Sequence, residues 1–137
     1  MRYLACVLLL CAAMPAAADK PLAPDTVPGT LLVSAEQAVV TVQTTPQMVI
    51  IDSRLGEEYA KGHIPGAINL LDTDMTEAAL SRIAPDRATP LLFYCNGERC
   101  LRSSNAAAQA ASWGYGTVYW FRGGWQEWLR QELPVAR

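Results

Sequence analysis

Short apolar runs alternate with polar, helix-forming stretches along most of this chain. Met48-Val49-Ile50-Ile51 is a continuous apolar run that stops at Asp52, and Leu91-Leu92-Phe93-Tyr94 is another that stops at Cys95. Runs of this kind, without polar alternation, are expected of strands buried on both faces. Residues 117–121 predict a third strand, and residues 31–33 and 67–70 predict two shorter ones. Helical signals fall between them. Ser34 is placed to cap a helix running through Gln43, which Thr44, Thr45 and Pro46 end. A short helix is predicted over residues 56–61, followed by a turn at Gly62-His63-Ile64-Pro65-Gly66. Another helix runs from a cap at Asp74 or Thr76 through Ser81, and Pro85 and Pro90 bracket the loop after it. An alanine-rich helix begins at Ser103 or Ser104 and ends near Trp113, with Gly114 beyond it. Gly123-Gly124 opens a last helix over residues 125–131, and Pro134 marks its far side. Strands alternating with helices predict an α/β fold: one domain over residues 31–134 with a mainly parallel central sheet and helices on both faces.

The N-terminus does not follow this pattern. Arg2, an apolar core over residues 4–13, and Ala16-Ala17-Ala18 before Asp19 read as a signal peptide over residues 1–18, cleaved on export to the periplasm or an equivalent compartment. The apolar stretch is too short to span a bilayer comfortably, so no stable membrane association is expected after cleavage. Residues 19–30, with Pro21, Pro24, Pro28 and Gly29, read as an extended lead-in. The chain has 137 residues, and losing the first eighteen leaves 119, enough for one modest core. It also removes Arg2 from the 11 basic residues, leaving 10 against 13 acidic ones and a formal charge of −3. That balance excludes general nucleic-acid binding. A monomer is expected.

Cleavage also removes Cys6 and Cys11, so the mature chain keeps only Cys95 and Cys100. In an oxidising compartment such a pair reads first as a small structural disulfide. A loop this short gains little from cross-linking, however, and its surroundings are polar and cationic. Two cysteines and the single histidine, His63, make a poor zinc set, and no metal or cofactor is expected.

In open α/β sheets, ligands bind beyond the carboxyl ends of the strands. Cys95 stands at such an end. Asn96, Gly97, Glu98, Arg99, Cys100, Leu101 and Arg102 follow, and then the alanine-rich helix. A strand, a loop and a helix in this order bring backbone N–H groups and the helix's positive end towards the cysteine. That arrangement binds small oxyanions and stabilises a thiolate. A free thiol has a pKa of about 8.5, and helix N-termini and nearby arginines lower it.

Three blocks resemble the rhodanese family. Asp52-Ser53-Arg54, Glu58-Tyr59 and Gly62-His63-Ile64-Pro65-Gly66-Ala67 are similar to its first signature. Tyr94-Cys95-Asn96-Gly97, leading to Arg102-Ser103 and an alanine-rich helix, resembles its active-site loop. Tyr119-Trp120-Phe121-Arg122-Gly123-Gly124-Trp125 resembles its late strand and helix start. The resemblance spans residues 31–134 and implies a single-domain sulfurtransferase. Cys95 is then the nucleophile. It takes the outer sulfur of a donor such as thiosulfate as a persulfide and passes it to a thiol or cyanide. The loop departs from the family pattern: Arg102 follows the cysteine at a greater distance, and Arg99 and Cys100 lie inside it.

The substrate-binding candidates are Arg102, Arg99, Gly97, Asn96 and the helix-starting Ser103. Arg102 matches the family's Arg-Ser ending, and Arg99 is nearer to Cys95 in sequence. Cys100 is the candidate resolving cysteine, able to close a disulfide with Cys95 and shield it from over-oxidation. His63 reads as a turn residue. Asp52 could act as a phosphatase-type acid but reads better as holding Arg54, with Glu58 completing a local ion-pair network. Two other functions stay open: a phosphatase or arsenate-reductase-like enzyme on the same loop, and a non-catalytic redox-sensing binding module.

Overall fold

A computed structural model describes residues 20–137, so the signal-peptide and cleavage-site expectations lie outside the described residues. The elements in chain order are β1 (Leu31–Leu32), α1 (Ala35–Thr44), β2 (Val49–Asp52), α2 (Gly56–Lys61), β3 (Ile68–Asn69), α3 (Glu77–Ile83), β4 (Leu91–Tyr94), α4 (Arg102–Ser112), β5 (Val118–Phe121) and α5 (Gly124–Arg130). The five strands form one sheet in the order β1-β5-β4-β2-β3, with every pairing parallel. Among the described residues, no helix is long and apolar enough to cross a membrane.

Central position explains why β4 has no polar alternation. It pairs with β2 on one side and β5 on the other, and helices cover both faces of the sheet. Leu91 and Phe93 pack with Ile51, Val118 and Trp120 against Leu80 of α3 and Ala106, Ala107 and Ala110 of α4. Leu92 and Tyr94 point the other way, with Ile50 and Phe121, towards Ala35 and Ala38 of α1 and Trp128 of α5. The alanines of α4 serve close helix-to-sheet packing, and all three are fully buried.

The local signals behave as their chemistry dictates. Ser34 accepts from the Gln37 amide while the Gln37 side chain accepts from the Ser34 amide, a reciprocal cap that stabilises the start of α1 by about 1 kcal/mol. Thr76, not Asp74, caps α3, and that helix runs two residues past Ser81 to Ile83. The alanine-rich helix starts at Arg102, ahead of the expected Ser103 or Ser104. Both serines lie within its first turn and are buried.

The lead-in is part of the packed structure. Ala23 and Val27 are buried and join the α3/α4 side of the core. The Ala23 amide donates to the Glu98 carbonyl (2.6 Å). Arg122, just after β5, donates to the carbonyls of Pro24 and Ala23 (both 2.9 Å) and to the Glu98 carboxylate (3.1 Å). The segment therefore straps the loop that follows β4.

Candidate active site

The C-terminal ends of β2 and β4 lie side by side, with Asp52 opposite Tyr94 in the register. Asp52 is fully buried and Arg54 is 2 % exposed. Asp52 accepts from the Arg54 amide (2.9 Å) and from Arg54 Nε and Nη2 (3.0 and 2.7 Å). The Tyr94 hydroxyl donates to Asp52 Oδ2 (2.5 Å) and accepts from the Ile64 amide (3.1 Å). Arg54 Nη2 also donates to the Gly62 carbonyl (2.7 Å), and the guanidinium lies 4.6 Å from the Trp125 ring centroid. Burial alone would lower the Arg54 pKa, but hydrogen bonding to Asp52 and its negative charge outweigh burial and hold it above the usual value. Burial, reinforced by the Asp52 carboxylate, pushes the Tyr94 hydroxyl well above the ordinary tyrosine range, so it stays a proton donor.

This network joins β2, the turn after α2, β4 and α5, and it leaves Asp52 no free oxygen to serve as an acid. The expectation that Asp52 holds Arg54 agrees with this geometry. Glu58 is a correction, because it is not paired with Arg54. Its Oε2 accepts from the Leu55 amide (3.1 Å) and its Oε1 from the Asn96 side chain (3.0 Å). The carboxylate thus links the α2 start to the loop after Cys95. His63 stacks on Tyr59 (3.8 Å between centroids), and its Nδ1 meets the Tyr59 carbonyl (2.9 Å), as suits a turn residue.

Cys95 ends the central strand and is 1 % exposed. Its carbonyl accepts from the Trp125 amide and that of Asn96 from the Gln126 amide (both 2.8 Å), so the start of α5 pins the start of the loop. Gly124 is required here twice over. Its φ is 55°, and a Cβ would press into the Cys95 carbonyl. Gly97 is less constrained, since a Cβ there would meet only the movable end of the exposed Gln126 side chain, 2.8 Å from its Oε1. Cys95 is joined to Cys100 by a disulfide with a Cα–Cα distance of 6.1 Å. The loop turns tightly between them, with the Cys100 amide donating to the Gly97 carbonyl (3.0 Å).

Among the described residues, the amides of Asn96, Gly97, Glu98, Arg99, Leu101, Arg102, Ser103 and Ser104 have no protein acceptor. The N-cap of α4, Leu101, offers no side-chain cap either. Five of these residues, Asn96, Gly97, Arg99, Leu101 and Arg102, line an open cavity of about 720 Å3, with Cys100, Glu58, Lys20, Pro21, Asn105 and Gln126 completing it. Four of the five substrate-binding candidates therefore share one wall with Cys100. Ser103 does not: its hydroxyl faces the core and accepts from Trp120 Nε1 (3.1 Å), leaving only its backbone N–H for a ligand. The two arginines also differ. Arg99 donates to the Lys20 carbonyl (2.7 Å), whereas Arg102 Nη1 stands 4.0 Å from Cys100 Sγ. A second depression, of about 450 Å3, shares only Gln126 with the first and contains no sulfur.

The fold and site define a parallel α/β domain with a cysteine at the carboxyl end of its central strand and a cationic, amide-rich loop below it. The chain belongs to the rhodanese-like domain family, which it matches over residues 35–131. It is 31 % identical over 104 residues to a sulfurtransferase of Allochromatium vinosum, covering 76 % of this chain and 92 % of that one. It is 31 % identical over 94 residues to the thiosulfate:glutathione sulfurtransferase of Saccharomyces cerevisiae, covering 61 % of this chain and 66 % of the yeast protein. The human single-domain sulfurtransferase TSTD1 superposes with a TM-score of 0.58 at 28 % identity, covering 73 % of this chain and 96 % of that one. The family is thus one of sulfurtransferase type, and the single-domain α/β architecture agrees with it.

Proposed function

We propose that this protein is an exported sulfurtransferase that moves a sulfane sulfur from thiosulfate or a similar donor to a thiol or cyanide through a Cys95 persulfide. The observation that carries this is the placement of Cys95 at the end of the central strand, against a loop whose amides lack acceptors and beside a cavity holding two arginines. The activity named for the similar yeast protein, thiosulfate:glutathione sulfurtransferase, supports thiosulfate as donor and a thiol as acceptor.

Once the disulfide is opened, the Cys95 thiolate attacks the outer sulfur of thiosulfate. The thiosulfate S–S bond breaks, and sulfite leaves with the electron pair. An acceptor thiolate then attacks the outer sulfur of the Cys95 persulfide, forming an acceptor persulfide and restoring the Cys95 thiolate. Cyanide would instead leave as thiocyanate. No general base is needed where the nucleophile enters the reaction as the thiolate.

Intact and peptide mass spectrometry of the protein recovered from an extracytoplasmic fraction tests both parts of the proposal. The expected chain begins at Asp19 and, after reduction and exposure to thiosulfate, carries one extra sulfur on Cys95. A chain retaining Met1 would remove the export reading, and an unmodified Cys95 would remove the chemistry. One observation favours the redox-sensing module as a second reading, namely the Cys95–Cys100 bond itself. That reading gains if reduced Cys95 takes up no sulfur from any donor.

The different contacts of the two arginines support Arg102 over Arg99 as the anion holder. Arg102→Ala is expected to lower kcat/KM for thiosulfate by one to two orders of magnitude, about 1.5–3 kcal/mol for a charge-assisted contact. Arg99→Ala should lower it less, because that guanidinium already holds the Lys20 carbonyl. Steady-state kinetics of the two variants decides the order, and the reverse ranking would move the anion site towards the lead-in.

A further inference from the structure

The two sulfurs of the disulfide are not equivalent. Cys95 is 1 % exposed and takes no part in the cavity wall, whereas Cys100 is half-buried and lines the cavity. A reagent arriving from that cavity meets Cys100 Sγ first. Arg102 Nη1 stands 4.0 Å from the same sulfur, and Arg99 lines the same wall. Among the described residues the one carboxylate lining the cavity, Glu58, already accepts from Asn96 and Leu55. The cavity is therefore cationic around the accessible sulfur.

We propose that this cavity docks a small anionic thiol, and that such a thiol opens the disulfide by attacking Cys100 Sγ, with Cys95 as the leaving group. This inference does not depend on the sulfurtransferase reading and holds whether or not Cys95 later carries sulfur. The incoming thiolate forms a bond to Cys100 Sγ. The Cys95–Cys100 bond breaks, and its electron pair stays on Cys95 as a thiolate. A second thiolate of the same kind then attacks the docked thiol's sulfur. That step releases the symmetric small-molecule disulfide and leaves Cys100 as a thiolate that takes a proton from water. Two small thiolates supply the two electrons. Thiol–disulfide exchange depends on which sulfur the incoming thiolate can reach. Of the two sulfurs, only that of Cys100 belongs to a residue lining the cavity. Accessibility thus selects the direction. The consequence is an order of events: Cys95 is freed while Cys100 still carries the docked thiol.

The order can be read on the wild-type oxidised protein. Brief treatment with glutathione in the presence of iodoacetamide, then acid quenching and trypsin, is followed by peptide mass spectrometry. Cleavage after Arg99 separates the two cysteines. The expected product carries glutathione on the Cys100 peptide and the alkyl group on the Cys95 peptide. Glutathione on Cys95, or spread evenly over both, would overturn the proposed order. The charge preference has its own measurement, the ratio of opening rates with anionic mercaptosuccinate and cationic cysteamine. Arg102→Gln should lower that ratio about fivefold, as the loss of one nearby charge in a partly solvated site predicts. An unchanged ratio would overturn the anionic docking site.

Discussion

Replacing Cys95 by serine is expected to reduce thiocyanate formation from thiosulfate and cyanide by about 10^3-fold or more, to the level without enzyme. A thiolate is a nucleophile in its own right, whereas a serine hydroxyl needs a base to become one. The candidate bases nearby are already engaged. Asp52 is fully buried and bonded to Arg54 and Tyr94. His63 directs Nδ1 to the Tyr59 carbonyl and stacks on the Tyr59 ring. Glu58 accepts through both oxygens. The variant keeps the backbone anchor at the start of the loop, because the Trp125 amide bonds to the carbonyl of residue 95 and not to its side chain. It also leaves Cys100 unpaired and facing the cavity, which makes the experiment a sharp one. Peptide mass spectrometry after thiosulfate should find no sulfur on Cys100 in this variant, and Cys100→Ser should keep turnover under reducing conditions. Turnover retained in Cys95→Ser would transfer the nucleophile's role to Cys100 and end the mechanism proposed above.

The features legible in the sequence are those written in short segments. The apolar runs before Asp52 and Cys95 announce strands, and Ser34 with Gln37 announces a cap, because each signal lies within one turn or one strand. The cavity was legible only in part. Glu58 reaches Asn96 across 38 positions, and Arg99 and Arg122 hold backbone carbonyls 79 to 99 positions away in the lead-in. Nothing in the Pro-rich stretch over residues 19–30 has a period that would place Ala23 and Val27 in the core. Gln126 was missed as a cavity residue because its only local signal is the Gly-Gly start of α5. That start acts through the backbone and fixes Cys95 and Asn96 by carbonyl contacts that any side chain would leave unmarked. Ser103 misled for a related reason. A serine at a helix start reads as a cap or anion ligand, but helix α4 begins at Arg102, and this turns the Ser103 hydroxyl inward to Trp120.

Arg54→Met should be among the most destabilising single changes in the domain. It would lower the unfolding free energy by about 3–5 kcal/mol and the melting temperature by roughly 10 °C or more. The reason is the environment of Asp52, which has no solvent exposure and loses its only ion-pair partner among the described residues. The remaining donors, the Arg54 amide and the Tyr94 hydroxyl, satisfy hydrogen bonds but supply no opposite charge. Breaking one side of a buried pair leaves a charge that water cannot reach, whereas removing both sides is far better tolerated. The double variant Asp52→Asn with Arg54→Met should therefore recover a substantial part of the loss, and chemical denaturation of the three proteins measures the difference. A domain of this size has only about 5–15 kcal/mol in hand, so the single variant would stand close to unfolding at physiological temperature. The effect should also reach the active loop. Arg54 packs on the Trp125 ring and holds the Gly62 carbonyl, and the Trp125 amide in turn holds the Cys95 carbonyl. Sulfur transfer in the surviving folded fraction, measured well below the melting temperature, should fall with a rise in KM as the loop loosens. A loss under about 1 kcal/mol in the single variant, or a double variant less stable than the single, would show that the Asp52–Arg54 pair does not hold this corner of the fold.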